Sequence, residues 1–505
     1  MRPISPDRMK LLPGGAAAFR SLSSCASVIR IVTVCNVLLA LYNFMCFTVP
    51  RVPSEPCVVI LNNSGLQAAA EKGLLKISDL RTTFEAGLKK LPAAAAVAAA
   101  AAATVATYGL DPSEPAYRRD YRGAYVVLGD YVRAQREPPA FNESITYTTQ
   151  ASHEFLFPHT EELCTRWSGP VSIAVYAPGS DLAVVNRKLA HLVRCVPCVA
   201  SNVTFHLVYH GNHTPPNIPA DPQQYIASLD VNCTSPPTDA SSYRRTANLI
   251  YPINVLRNAA RLRARTKYVL ASDLELYPSA HIIPRFIKLI NHEPAASGRH
   301  VYTLPIFEVD RSRPVPRTKR ELQQLYSEKH AIFFHRYVCD QCQNFPLRER
   351  WLHWLPSDDR VKNASSPSSA SVVASVSSLS SSSSSAPATS LSALAVFTTT
   401  KRRKDRSSWE PIYIGTNAEP LYAEELSWEG KRDKMSQMFE LCLLDYEFRV
   451  LDDAFLCHAP GIKTLNRQEL LWRSKFVRQT NAVYKTILKR IAAKHTSGVK
   501  PDKCL

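Results

Sequence analysis

Residues 251–279 read YPINVLRNAARLRARTKYVLASDLELYPS, a helix feeding a buried strand that ends in two carboxylates one residue apart. Ile253, Leu256 and Ala260 recur at helical spacing, and Tyr268 Val269 Leu270 Ala271 form a short apolar strand. Asp273 and Glu275 flank Leu274 where that strand stops, and Tyr277 and Pro278 close the turn. A period of two puts both acids on one face, where they can hold a hard divalent cation with a phosphate on its open side; the alternative is a solvated acidic loop. The surrounding chain alternates in the same way. Residues 170–176 read as a strand, 182–193 as a helix, and 203–208, 299–307 and 331–334 as further strands. This alternation predicts an α/β layered domain with a mostly parallel central sheet, in which ligands bind outside the carboxyl ends of the strands. Asp273 and Glu275 stand at one such end.

With 505 residues and 45% hydrophobic content, the chain can bury a large core. Residues 31–49 are uncharged and mostly apolar, about the length of a bilayer-spanning helix, and Arg2, Arg8, Lys10, Arg20 and Arg30 precede them. That flank favours a cytoplasmic N-terminus. No small-residue cleavage site follows, so a retained signal anchor is expected, with everything after about residue 50 luminal. N-x-S/T sequons begin at Asn62, Asn142, Asn202, Asn212, Asn232 and Asn363, all beyond the anchor. An oxidising lumen makes disulfides the default reading of the cysteines there. This includes the C-x-x-C pairs Cys195/Cys198 and Cys339/Cys342, whose separation far exceeds that of a zinc ribbon.

The formal charge of +18 does not make a nucleic-acid surface. Much of the excess lies in residues 401–404 and 473–503, without the interleaved aromatics of a stacking platform. Nucleotide phosphates, acidic glycans or membrane headgroups are the partners such a luminal chain would meet. The expected organisation is a cytoplasmic tail (1–30), an anchor helix (31–49) and a luminal stem with an alanine-rich tract (50–144). A globular domain (145–480) follows, interrupted at 362–408 by a serine-rich insertion too poor in apolar residues to fold, and a basic tail (481–505) ends the chain.

A second half of the site comes late. His458 follows the apolar Ala454 Phe455 Leu456, and Lys463 lies five residues on, across Pro460-Gly461. A neutral imidazole with two carboxylates is a partial shell for Mn²⁺, and Lys463 can reach a diphosphate; a core histidine is the alternative.

The runs RWSGPVSIAVYAPG (166–179), YPINVLRNAAR (251–261), the acidic strand end, WEPIYIG (409–415), KMSQMFEL (434–441) and VLDDAFLCH (450–458) occur in an order that resembles glycosyltransferase family 49. The resemblance covers about residues 120–473 apart from the insertion. It implies a GT-A-like nucleotide-sugar-binding fold behind a single transmembrane helix, in a type II Golgi membrane protein. It further implies a Mn²⁺-dependent inverting transfer from UDP-glucuronate to a xylose-terminated O-mannosyl glycan on a glycoprotein, and leaves room for a Golgi enzyme complex. In the working assignment Asp273, Glu275 and His458 hold the metal, and Asn254, Arg257 and Lys463 contact the donor. The general base is Asp433 or Asp452, with a helix-capping or core-rim role as the alternative for each. The family motif is D-x-D, so Glu275 departs from it by one methylene. A transferase using another UDP-sugar, and a pseudo-transferase that binds a glycan or scaffolds a partner, are the competing readings.

Overall fold

The computed structural model describes residues 117–238, 241–293, 298–355, 391–459, 461–464 and 466–505. The anchor segment, the alanine tract, the serine run, Cys57 and the sequons at Asn62 and Asn363 lie outside the described residues. No described helix is long and apolar enough to cross a membrane.

Two sheets organise the described chain. The large one has ten strands in the order β1 (Arg118–Arg122), β2 (Tyr125–Val132), β5 (Val203–His210), β4 (Val171–Tyr176), β3 (Ile145–Ser152), β6 (Tyr268–Ala271), β12 (Ile412–Gly415), β8 (His300–Leu304), β13 (Glu447–Leu451) and β11 (Val396–Lys401). The small one runs β10 (Ala331–Phe333), β9 (Ile306–Val309), β14 (Leu456–His458) and β7 (Leu276–Pro278). The block β5-β4-β3-β6 is parallel, as is the pair β8 and β13. All other neighbours in the large sheet are antiparallel, so the sheet is mixed rather than mostly parallel. The departures have a simple cause. A hairpin, β1-β2, caps one edge, and β12 inserts between β6 and β8 against their direction; neither needs the crossover helix that marks a parallel connection in sequence.

The parallel block forms the core because both its faces are covered. Every residue of β3 and β4 is buried, as parallel strands sandwiched between helices require. Helix α1 (His159–Trp167) contributes Leu163 and Trp167, and α2 (Asp181–Cys195) contributes Val185 and Leu189, to the main apolar cluster. Helix α3 (Ile253–Leu262) lays Val255, Leu256, Ala259 and Ala260 against Ala174 and Tyr176 of β4 and Val208 of β5. Helix α4 (Ile282–His292) seats the fully buried Phe286 edge-on to Tyr268 and Tyr302; burying such a ring stabilises by roughly 2–3 kcal/mol. Three times the chain crosses from the large sheet to the small one: from β6 to β7, from β8 to β9 at Pro305, and from β13 to β14.

Three segments placed outside the globular domain by composition are parts of it. Strands β1 and β2 come from the expected stem, and β11 comes from the expected insertion, where Val396 and a run of threonines supply β-forming residues. The basic tail belongs to α6 (Arg467–Lys494) and the turn after it. Tyr484, Ile487 and Ile491 are buried with Phe439 and Leu443 of α5 (Met435–Leu443), an apolar stripe that the charge count masks. Four disulfides occur among the described residues, Cys164–Cys198, Cys195–Cys233, Cys339–Cys342 and Cys442–Cys504. The first C-x-x-C pair is therefore shared between two bridges, while the second closes on itself.

Candidate active site

The chain leaves β6 at Ala271 and turns before β7, with Leu276 N–H donating to the Asp273 carbonyl at 3.0 Å. The buried Tyr147 hydroxyl fixes the turn by donating to the carbonyls of Asp273 and Leu276, at 3.0 and 2.7 Å. A turn has no period of two, so the carboxylates of Asp273 and Glu275 meet different partners. Asp273 Oδ1 accepts from Gln150 Nε2 and from Arg257 Nη2, each at 2.9 Å, and its Oδ2 accepts from Lys434 Nζ at 2.9 Å. Arg257 also donates to the Asp433 carboxylate and, at 3.1 Å, to Asn254 Oδ1. Asn254 Nδ2 in turn donates to the carbonyls of Ala423 and Asp433, both at 2.8 Å. Two carboxylates and two cations thus form a balanced cluster beside α3. Burial opposes the charge on Asp273, but Lys434 and Arg257 outweigh it and hold its carboxyl well below the usual carboxylate range. Its side chain is 28% exposed against 3% for Arg257, so the carboxylate faces outward and the guanidinium supports it from behind.

Glu275 faces the small sheet. Antiparallel and parallel pairing place His458 opposite Leu276 on β7 and opposite Glu308 on β9. His458 Nε2 lies 3.2 Å from Glu275 Oε2, and its Nδ1 lies 3.1 Å from the Gly461 carbonyl. A carbonyl only accepts, so the network assigns a proton to Nδ1. In the neutral ring the Nε2 lone pair then faces the Glu275 carboxylate, two acceptors that need a proton or a cation to share. An imidazole oriented by a backbone carbonyl beside a carboxylate is a donor set that fits a divalent transition ion. No group of three or more His, Cys, Asp or Glu side chains among the described residues could hold a metal, so Asp273 does not complete a three-ligand shell with this pair. Burial opposes ionisation of Glu275, yet the His458 contact and the Lys463 charge hold its pKa below the ordinary value.

The backbone of Lys463 is anchored by Glu308, a fully buried acid that accepts from Lys463 N–H at 3.0 Å and His335 N–H at 3.1 Å. Burial raises the Glu308 pKa despite those bonds. The Lys463 ammonium lies 5.4 Å from the Phe334 ring centroid. His335, stacked on Phe334, is driven down to about 3 by burial and by the Lys463 and Lys434 charges, so its ring is neutral.

Of the residues singled out by sequence, the structure joins Asp273, Arg257, Asn254 and Asp433 in one cluster, and Glu275, His458 and the Lys463 loop in a second. Asp433 enters as the partner of Arg257, with its carboxylate engaged. Asp452 is 1% exposed; its Oδ1 accepts from Ala395 N–H at 2.9 Å and its carbonyl from Lys319 Nζ at 2.6 Å, which fixes the junction of β11 and β13. Gln150, Glu308 and Lys434 went unread. Gln150, a lone amide in a wholly buried strand, and Lys434, the first residue of the KMSQMFEL run, carried the available signals.

A layered α/β domain that gathers acids, an imidazole and lysines where strands of two sheets end has the layout of a glycosyltransferase. A family model described as glycosyl-transferase for dystroglycan matches residues 144–371 and 384–496. The chain belongs to that family, glycosyltransferase family 49. It is 28% identical over 352 residues to beta-1,4-glucuronyltransferase 1 of Danio rerio, covering 67% of this chain and 73% of that one. Identity to beta-1,4-glucuronyltransferase 1 of Homo sapiens is 25% over 346 residues, covering 67% and 72%. Xylosyl- and glucuronyltransferase LARGE1 of Danio rerio is 22% identical over 355 residues, 70% of this chain and 36% of that longer protein.

Proposed function

We propose that this glycosyltransferase transfers glucuronate from UDP-glucuronate to a xylose-terminated O-mannosyl glycan on a glycoprotein, as a Mn²⁺-dependent type II membrane enzyme of the Golgi. The observation that carries the reading is the pairing of two clusters across the sheet crossing: Asp273 held by Arg257 and Lys434, and Glu275 against His458 with Lys463 nearby. Glu275 and His458 would hold Mn²⁺, with phosphate oxygens and water filling the remaining positions. Bound there, the ion would neutralise the leaving diphosphate. Lys463 adds a positive charge on the same side, in a backbone fixed by Glu308. Asp273, ionised and outward-facing, presents an acceptor to donor hydroxyls, and its third-ligand role gives way to that of orienting the donor. The relatives named glucuronyltransferases support the donor. A luminal location is supported by the disulfides and by Asn142, Asn212 and Asn232, all exposed.

The test uses the full chain with Mn²⁺, a panel of UDP-sugars and a β-xyloside acceptor. UDP release specific to UDP-glucuronate is expected. It should be abolished by chelator and lowered about 10–100-fold or more by Glu275→Ala or His458→Ala. Turnover of a different sugar would overturn the donor assignment while keeping the chemistry. Folded protein that turns over no donor, even as Glu275→Asp, would point to a glycan-binding pseudo-transferase.

A further inference from the structure

The mechanism above leaves Glu410, second residue of WEPIYIG, without a task. Its place is set by register. β12 runs antiparallel to β6 with Ile414 opposite Leu270 and Gly415 opposite Val269, so each step back along β12 is a step forward along β6. β12 begins at Ile412 and β6 ends at Ala271, so in this antiparallel pair Glu410, two residues before β12, lies off the sheet end at which the chain leaves β6. Glu410 therefore enters the domain at the sheet end where Asp273 and Glu275 stand. Its backbone is pinned, N–H to the Cys342 carbonyl at 2.9 Å and carbonyl to Gln343 Nε2 at 3.0 Å, and the neighbouring Trp409 is buried against Phe448.

The Glu410 side chain is half-buried, and its carboxylate takes no hydrogen bond from any described residue. The groups that face it come from four elements: Lys434 and Asp433 ahead of α5, Arg257 of α3, Arg402 after β11, and Tyr484 of α6. Two of these, Arg257 and Lys434, already grip Asp273. The two acids considered from sequence are engaged elsewhere, Asp433 by the Arg257 guanidinium and Asp452 by the Ala395 N–H. Glu410 combines a position at this sheet end with a carboxylate that no described residue engages by a hydrogen bond.

We infer that Glu410 is the general base, accepting the proton of the attacking acceptor hydroxyl. The inference rests on the transferase reading. As the acceptor oxygen bonds to C1 of the donor sugar, the C1–O bond to the diphosphate breaks and its electron pair leaves with UDP. The hydroxyl proton passes to the Glu410 carboxylate and is released to water after the product departs. Burial outweighs Lys434, Arg257 and Arg402 and lifts the Glu410 carboxyl to about 7, where a carboxylate is still available and is more basic than an exposed one.

The test compares Glu410→Gln and Glu410→Asp with wild type in the full chain, assayed with whichever UDP-sugar the wild type turns over. Removing the base should lower kcat by about 10²–10⁴-fold in Glu410→Gln and erase the acid limb of kcat/KM near neutrality. Calorimetric UDP binding should stay within about twofold, because the base contributes to the transition state rather than to ground-state binding. Glu410→Asp should retain more activity than Glu410→Gln and keep a limb. A Glu410→Gln enzyme that matches wild type with its limb intact overturns the inference while the transferase reading stands. Parallel loss of UDP binding and melting temperature overturns it in favour of a structural role. A wild type inert with every UDP-sugar overturns the transferase reading and this inference together.

Discussion

His206 sits in β5 with 1% of its surface exposed, at a point where four elements meet. Asp130 N–H of β2 donates to its Nδ1 at 2.8 Å, so the ring proton resides on Nε2 and is given to Ser172 Oγ of β4 at 2.8 Å. The serine hydroxyl donates onward to the Ala260 carbonyl of α3, again at 2.8 Å. Burial, opposed by Asp130 and reinforced by Arg263 and Arg265, pushes the His206 pKa down to about 4. An unfolded histidine titrates near 6.5, so between these values the unfolded chain binds a proton that the folded chain refuses. The contribution is complete above about pH 6.5 and is lost as the pH falls toward 4, in total on the order of 3 kcal/mol. Denaturant melts at stepped pH should show that slope. His206→Gln should flatten it even though the variant is less stable at neutral pH; an unchanged slope would mean that another group carries the acid sensitivity.

The loop between residues 426 and 434 joins the active site to the C-terminal helix. Trp428 N–H donates to the Tyr251 carbonyl at 3.2 Å, and Glu429 accepts from Tyr251 N–H at 3.0 Å, which fastens the loop to the start of α3. Lys431 and Arg432, both left-handed with φ of 60° and 59°, turn the chain so that Asp433 and Lys434 reach Arg257 and Asp273. Gly430 is where this loop touches α6. A Cβ there would lie 1.7 Å from Thr480 Oγ1 and 2.8 Å from Thr480 Cβ, so Gly430→Ala must push the loop off the helix. A loss of about 1–3 kcal/mol is expected, with a fall in kcat as Lys434 shifts. Thr480→Ala in the same chain should restore part of both, read by thermal melts and by initial rates. Such elements separate what sequence could tell from what it could not. Of the parallel block, β4, β5 and β6 were legible because their apolar runs and the helical spacings beside them are local, whereas β3, half of it polar in ITYTTQAS, was not. Glu275 and His458 were readable as a strand ending in acid and another ending in imidazole. The engagement of Lys434 was not legible, because it is set by Asp273, 161 residues away. The parting of Asp273 from Glu275 was missed because a turn, fixed by the distant Tyr147 hydroxyl, replaced the strand periodicity that would have aligned them.

At the scale of the whole molecule, covalent links tie the helices beside the parallel block and the C-terminal end of the chain. Cys164–Cys198 and Cys195–Cys233 tie α1 and α2 to the segments beyond them, and Cys442–Cys504 joins the end of α5 to the C-terminus across a separation of 62 residues. A cross-link of that span removes about 4 kcal/mol of unfolded-state entropy in the chain-entropy model. Cys504→Ser is therefore expected to lower stability by about 2–4 kcal/mol in oxidising buffer. The effect should vanish when wild type and variant are compared under reductant; equal oxidised stabilities would show that the packing of Tyr484, Ile487 and Ile491 alone secures the helix. The same bond encloses β13, β14, His458, Lys463 and α6 in one closed circuit. A protease that cuts once inside that circuit would liberate no fragment. The nicked enzyme would travel as a single covalent body, its two ends still in register at the imidazole and the lysine, and the break would surface only when the thiols are reduced.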